Sequence, residues 1–290
     1  MEMTKTIHAI KHNFIVPVNP ELKLERIVYS FIIFGKLGVY LIDSGVAGSG
    51  DRIINYISER GYRPSQIKAL VLTHGHPDHI GAAAHIVKKT GCKVLAHKSE
   101  IPWIENIDRQ LNERPVPGFK NLVNQSVKVD KVIEHNQRIQ LEDNFVLRVV
   151  HTPGHSQGSL SLFMEDQKAL FVGDALLLPG NLPIYDNPFE AQDSIRELQN
   201  IKNPRFLFSA WDEAAAGEEI QAKFEQSLAY FQEIHKHVLN TDKTGEMNEM
   251  ELCQKVITAM GLPVEAVNSL VAKSLKSHFI ENHHSLALGA

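Results

Sequence analysis

The sequence predicts a layered α/β protein closed by a helical C-terminal region. Three observations carry that expectation. Short β-branched and aromatic runs alternate with helical-phase segments through residues 1–213. Several of those runs end abruptly in histidine or aspartate. Beyond Ala214 only helical spacing remains. A length of 290 residues allows one large domain or a domain with an appendage. The expected division is 1–213 and 214–290, with a mild boundary near Gly217.

Taken in order, Arg26 to Phe34 and Val39 to Ile42 are strand-like, and Gly35-Lys36-Leu37-Gly38 between them predicts a hairpin. Ile53, Ile54 and Ile57 carry a helical phase up to a stop at Gly61. Ile67 to Leu72 reads as a buried strand, Ile80 to about Thr90 as a helix, and Lys93 to Ala96 as a short strand. Residues 97 to 130 are broken by Pro102, Pro115, Pro117 and Gly118, and read equally as a substrate lid or a surface excursion. Strand character returns at Lys131 to Glu134, Phe145 to Val150, Ser159 to Phe163, Ala169 to Val172 and Arg205 to Phe208. Phe189 to Ile201 is the helix before the last of these. From Ala214 onward no strand is expected, because Ile220, Phe224, Leu228, Phe231 and Ile234 repeat at helical spacing and Val267 to Leu275 does so again.

Composition excludes some functions. A net charge of −4 and the lack of a basic tract argue against nucleic acid. No apolar run reaches membrane-spanning length, and the first residues lack the apolar core of a signal peptide. The 2 cysteines, Cys92 and Cys253, have no metal or disulfide spacing, which fits a reducing, cytoplasmic compartment. Cys253 falls at an apolar helical phase and reads as core. Oligomeric state is left open, a homodimer included. The informative count is 15 histidines. Those scattered along the chain (His8, His12, His85, His97, His235, His237, His278, His283 and His284) are expected on the surface or at helix caps.

Other histidines concentrate. Thr73-His74-Gly75-His76-Pro77-Asp78-His79 follows a buried strand directly. Imidazole nitrogen and carboxylate oxygen are donors that a borderline divalent metal accepts. Burying so many polar groups without a partner is costly, so a solvated polar loop is the weaker reading. Three further strand runs end in ligand types: His151-Thr152-Pro153-Gly154-His155, Gly173-Asp174 and Ser209-Ala210-Trp211-Asp212. Sites in layered α/β folds gather where strands give way to loops on one edge. Alone, His155 reads as structural and Asp174 as a turn residue; beside the first cluster both read as ligands.

His74-x-His76-x-Asp78-His79, Thr152-Pro153-Gly154-His155-Ser156-x-Gly158-Ser159 and Gly173-Asp174 together resemble the metallo-β-lactamase fold superfamily, on its glyoxalase II and lactonase side. The resemblance spans roughly residues 7 to 212. It implies an αββα four-layer sandwich with a metal site at one edge. It further implies a first metal on His74, His76 and His155, a second on Asp78 and His79, and Asp174 bridging the two. Zinc is the first expectation for these two divalent ions, with iron or manganese as alternatives. Asp43, in an Asp-Ser-Gly turn, is expected to orient a ligand histidine or else to stabilise its own turn.

One place departs from the family pattern. A histidine usually ends the last strand and completes the second metal; here Trp211-Asp212 stands instead. Either Asp212 supplies an oxygen, or Trp211 packs over a ligand-poor site and Asp212 caps a helix from Glu213. The resemblance implies a hydrolase that uses a metal-activated hydroxide on a small ester-like substrate, with Asp78 orienting it or moving its proton. A thioester is the first choice and a lactone the second. Tyr185 either reaches a substrate carbonyl or packs. Lys273 and Lys276 are the basic residues of the tail, without a recognisable glutathione motif. The alternative is a protein that keeps the metal to bind a ligand, with little or no catalysis.

Overall fold

A computed structural model describes residues 4–17 and 23–280. Its strands are β1 (Ile7–Pro17), β2 (Lys23–Phe34), β3 (Val39–Ile42), β4 (Ile67–Val71), β5 (Lys93–Ala96), β6 (Lys131–Val132), β7 (Arg138–Glu142), β8 (Phe145–His151), β9 (Leu160–Met164), β10 (Ala169–Gly173), β11 (Phe206–Ser209) and β12 (Ala215–Ala216). They make two 6-stranded sheets, β1-β2-β3-β4-β5-β6 and β12-β11-β10-β9-β8-β7. Both are mixed: β3 to β6 run parallel, as do β10 and β11, and the remaining pairs are antiparallel. The expected hairpin is present, with Phe34 opposite Val39.

The period-2 alternation of the strands sorts side chains into layers. Phe31, Ile33, Tyr40 and Ile42 of the first sheet meet Leu147, Leu162, Phe171 and Phe208 of the second in one buried cluster. The Phe31 ring lies 5.2 Å from Phe171 and 5.3 Å from Phe208. Intervening residues point the other way. Ile32, Leu41 and Leu70 pack on Ile53, Ile57 and Ile86 of the helices Ser49–Ser58 and Ala83–Thr90. Leu170, Val172 and Leu207 pack on the helices Pro188–Gln199, Glu218–Thr241, Glu249–Ala259 and Ser269–Lys276. The result is helix, sheet, sheet, helix. Burying each large side chain stabilises the fold by about 1.5–3 kcal/mol.

Four expectations need correction. β12 follows Ala214, where no strand was expected; a two-residue pairing on β11 is too short to leave a periodicity. β1 and β7 are strands that the runs above do not include. In β1 the inward positions include His8 and His12, which interrupt the apolar pattern. The helix expected over Ile80 to Thr90 is two pieces, Pro77–Ile80 and Ala83–Thr90. They separate at Gly81, where a Cβ would stand 2.1 Å from the Leu122 carbonyl oxygen. Lastly, His8, His12, His97 and His278 are buried rather than superficial. Each has a polar contact that makes burial tolerable, such as His12 Nε2 to Ser30 Oγ at 2.8 Å. His97 does also cap, accepting from the Ser99 amide. Cys253 is core, as expected. His283 and His284 lie outside the described residues. No helix among the described residues is long and apolar enough to cross a membrane.

Candidate metal centre

Both sheets deliver their polar strand ends to one rim. The Leu160 amide donates to the Thr73 carbonyl at 2.8 Å, and the Tyr29 amide to that of Ala210 at 2.8 Å, tying the sheets together there. Beyond β4 the chain is extended at His76 and turns into a short helix with Pro77 at its first position, so His76, Asp78 and His79 face inward. β10 ends at Gly173, whose φ of 50° lies in the left-handed region. A Cβ there would lie 2.9 Å from Thr73 Oγ1, so glycine lets Asp174 approach the β4 end.

Ligand atoms of His74, His76, His155 and Asp174 all lie within 4.8 Å of one another. Asp174 Oδ2 is 3.2 Å from His155 Nε2 and 3.8 Å from His74 Nε2, while His155 Nε2 is 2.8 Å from His76 Nδ1. Ligands of a tetrahedral zinc ion at ~2.0–2.1 Å stand about 3.3 Å apart, and these separations bracket that spacing. His79 Nε2 extends the group, 3.1 Å from Asp174 Oδ1 and 3.9 Å from Asp78 Oδ2.

The hydrogen bonds fix which nitrogen each ring offers. His79 Nδ1 donates to Asp43 Oδ2 at 2.8 Å, since a carboxylate only accepts. The Thr73 hydroxyl donates to the same Asp43 oxygen at 2.7 Å, so its contact with His74 Nδ1 at 3.1 Å has the imidazole as donor. His155 Nδ1 donates to the Ile184 carbonyl at 2.9 Å. In each ring the Nε2 lone pair is thereby turned to the centre. The Nε2 atoms of His74, His76 and His79 and Oδ1 of Asp174 are buried without a hydrogen-bond partner. Buried polar atoms without partners are rare in native proteins, and divalent cations would satisfy Nε2 of His74 and His79 and Oδ1 of Asp174, while His76 turns its Nδ1 toward His155 Nε2. The donor set therefore fits a divalent metal.

Electrostatics divide the group. Burial, with neighbouring positive groups, drives His74 and His76 well below the usual imidazole range, which keeps them neutral ligands. Burial also lowers His79, but Asp174, Asp43 and Asp78 outweigh it and hold the ring well above that range. Burial pushes the Asp78 carboxyl up. For Asp174 the surrounding His79, His155 and His74 outweigh burial and hold it well below the carboxylate range.

Of the residues singled out from the sequence, His74, His76, His155 and Asp174 come together, with Asp78 and His79 beside them. Asp43 sits at φ 57° and bonds His79 and Thr73, not its own turn backbone. Asp212 is half-buried with Oδ2 unpartnered, and no ion pair joins it to a histidine of the site. It caps no helix, because the next helix begins at Glu218 with Gly217 at its N-cap. Trp211 does close over the site: its indole Nε1 donates to Asp174 Oδ2 at 2.8 Å. Tyr185 is buried with its hydroxyl 2.7 Å from His278 Nε2, which favours packing.

Two residues of the irregular stretch went unnoticed. Glu100 is buried, and its carboxylate accepts from the amides of Gly75 and Gly158 at 2.7 Å each and from Ser156 Oγ at 2.8 Å. It joins the two ligand loops. Arg114, also buried, borders the same cavity as His76, Asp78, His155 and Asp174. Residues 97–130 are thus a wall of the site, with Trp103 stacked 6.0 Å from His76 and Gln110 Nε2 donating to the Gly75 carbonyl at 2.6 Å. No local periodicity announces either residue.

Comparison with known proteins bears on this geometry. Residues 24–207 match the family described as the metallo-beta-lactamase superfamily. A probable metallo-hydrolase of Bacillus subtilis (strain 168), YflN, is 32% identical over 187 residues, 61% of this chain and 67% of the relative. The hydroxyacylglutathione hydrolase GloC of Haemophilus influenzae is 28% identical over 141 residues, 48% of this chain and 62% of the relative. The matches thus span roughly three fifths to two thirds of these relatives' own length. Among solved structures, the metallo-beta-lactamase family protein TTHA1429 of Thermus thermophilus superposes with a TM-score of 0.73 at 18% identity, over 95% of this chain and 93% of that one. With the family match covering more than half of the chain, and the two-sheet fold carrying its histidines at one rim, the chain belongs to the metallo-beta-lactamase superfamily.

Proposed function

We propose that the protein is a metal-dependent hydrolase of small ester-like substrates, thioesters first and lactones second. The observation that carries this reading is the pair of buried, unpartnered Nε2 atoms of His74 and His79 around Asp174, with His76 Nδ1 and His155 Nε2 in the same group and a cavity beside it. His74, His76, His155 and Asp174 hold the first divalent ion, zinc in preference to iron or manganese. Asp78, His79 and Asp174 are assigned to a second, with Asp212 the remaining candidate oxygen. When bound, such ions make water nucleophilic near neutral pH and polarise a carbonyl. Asp43 orients His79 directly and His74 through Thr73, which supports ligand basicity. Asp78 borders the cavity, which supports a role in orienting the attacking water or moving its proton.

Relatives named hydroxyacylglutathione hydrolases support the thioester choice. Glutathione itself gains no support from the tail lysines: Lys273 is exposed, and Lys276 Nζ is engaged by the carbonyls of Gly245 and Met247 at 2.6 and 2.7 Å. One observation favours the second reading, a metal-retaining binding protein. Trp211 places an indole N–H on Asp174 where the family usually has another ligand. Turnover of a thioester and lactone panel, with and without chelator, separates the two. Chelator-sensitive hydrolysis is expected. Full metal loading with no turnover on any member of the panel overturns the hydrolase.

A further inference from the structure

The metal centre lies on the wall of a cavity of about 1490 Å³. Small-molecule pockets usually hold ~300–1000 Å³, so the space exceeds what a compact ester needs. Away from the rim an apolar stripe runs along its lining, from Phe14 and Ile27 of the β1–β2 hairpin across Leu176 and Leu182 to Phe231 and Leu270 of the C-terminal helices, with polar and charged side chains such as Asn13, Glu25, Asn181 and Glu265 among them. Ile15 and Val264, 52% and 66% exposed, stand on the same lining. Two large apolar side chains left in solvent there extend the apolar surface outward.

Three cations line the cavity, Lys11, Arg26 and Arg114, and of these Arg114 alone is buried. Arg114 is only 9% exposed, and its Nη2 is buried without a hydrogen-bond partner. Among the described residues its guanidinium makes no hydrogen bond and no ion pair. Asp78, Asp174, Asp186 and Glu100 act on it only through space. Burying an unpaired guanidinium is costly, and its planar fork matches a carboxylate with two parallel hydrogen bonds. Bound metal would neutralise Asp78 and Asp174, and Glu100 is engaged by the Gly75 and Gly158 amides and Ser156 Oγ, which leaves Asp186, the strongest of the four, acting on Arg114 through space and the guanidinium with its hydrogen-bonding capacity unused at the cavity wall.

We propose that this cavity binds an amphipathic carboxylate, with the carboxylate on Arg114 and a long apolar chain along the lining. The chemical class is the acid released from a medium- or long-chain acyl ester or thioester. Only the origin of that acid rests on the hydrolase reading; its binding requires no turnover. Arg114 is then a binding residue for the acyl end, and the apolar lining sets chain-length preference.

The test titrates decanoate, hexanoate and uncharged decanol into the zinc-loaded full chain by calorimetry, for the wild type, Arg114→Met, Arg114→Lys and Leu270→Trp. Zinc content and melting temperature are recorded for each variant. The expected result is that decanoate binds at least tenfold tighter than hexanoate or decanol. Arg114→Met should weaken decanoate at least tenfold and leave decanol unchanged, with Arg114→Lys between. Leu270→Trp, which fills the cavity and leaves Arg114 in place, should weaken decanoate and spare hexanoate. Absent decanoate binding, or decanoate binding as tightly to folded, zinc-loaded Arg114→Met as to wild type, overturns the proposal. Should Arg114→Met fail to fold, unchanged decanoate affinity in Leu270→Trp overturns it instead. Decanoate binding without hydrolysis of any ester leaves this site standing and removes the hydrolase. Hydrolysis of short thioesters without decanoate binding does the reverse.

Discussion

Two of the places where a buried histidine meets another histidine have different partners. At the strand-end rim, His74 and His79 each keep a buried Nε2 without a hydrogen-bond partner beside Asp174. Among the C-terminal helices, His278 is equally buried, yet Nε2 meets the Tyr185 hydroxyl at 2.7 Å and Nδ1 meets His235 Nδ1 at 3.0 Å. Burial lowers imidazole basicity in both places, so depressed basicity does not tell a ligand from a packed ring. The distinction lies in what the ring nitrogens face. A satisfied pair is structural, and an unsatisfied set around a carboxylate is a cation site.

The largest expected effect is on metal. His76→Ala should abolish loading of the first site, read as metal content after dialysis, and full stoichiometry in that variant would break the comparison. Asp43→Asn comes next. Asparagine tolerates the φ of 57° found there but donates where the carboxylate accepts from His79 and Thr73. Metal affinity should fall by about 10–100-fold with an unchanged circular dichroism spectrum; unaltered affinity would mean that ring orientation is set elsewhere. His278→Leu should act oppositely, leaving metal content intact while lowering stability by about 1–3 kcal/mol in denaturant melts, because Tyr185 and His235 lose their partner. Metal loss in that variant would show the two groups to be coupled.

The smallest effect is a pH slope. His278 is pushed down to about 3 by burial, with His235 adding, from an ordinary 6.5. The unfolded chain takes up the proton first. The stability His278 contributes is therefore present above pH 6.5 and is lost as pH falls toward 3, at up to about 1.4 kcal/mol per unit. Between pH 6.5 and 4.5 the wild type should lose stability more steeply than His278→Leu. Parallel curves would remove His278 from the acid response.

Much of this was legible in the residues. β3 and β5 have the expected bounds, because both runs are apolar and bracketed by turn or polar residues. The rim was legible because His74, His76, Asp78 and His79 fall in one short stretch after a buried strand. Glu100 and Arg114 were not, because their importance comes from burial that distant segments create. Glu100 bonds Gly75, 25 residues away, and Gly158, 58 residues away. Trp211 announced a departure without saying what it does; only the pairing of β10 with β11 sets its indole on Asp174.

By itself, then, the sequence determined the layered class, the four strand-end clusters and the metal chemistry they offer, since these depend on local periodicity and side-chain type. Tertiary structure alone decided which nitrogens stay unpartnered, that Glu100 fastens the ligand loops, and that a buried cation faces a large apolar cavity. Those are properties of neighbours brought together from far along the chain, and no local pattern encodes them.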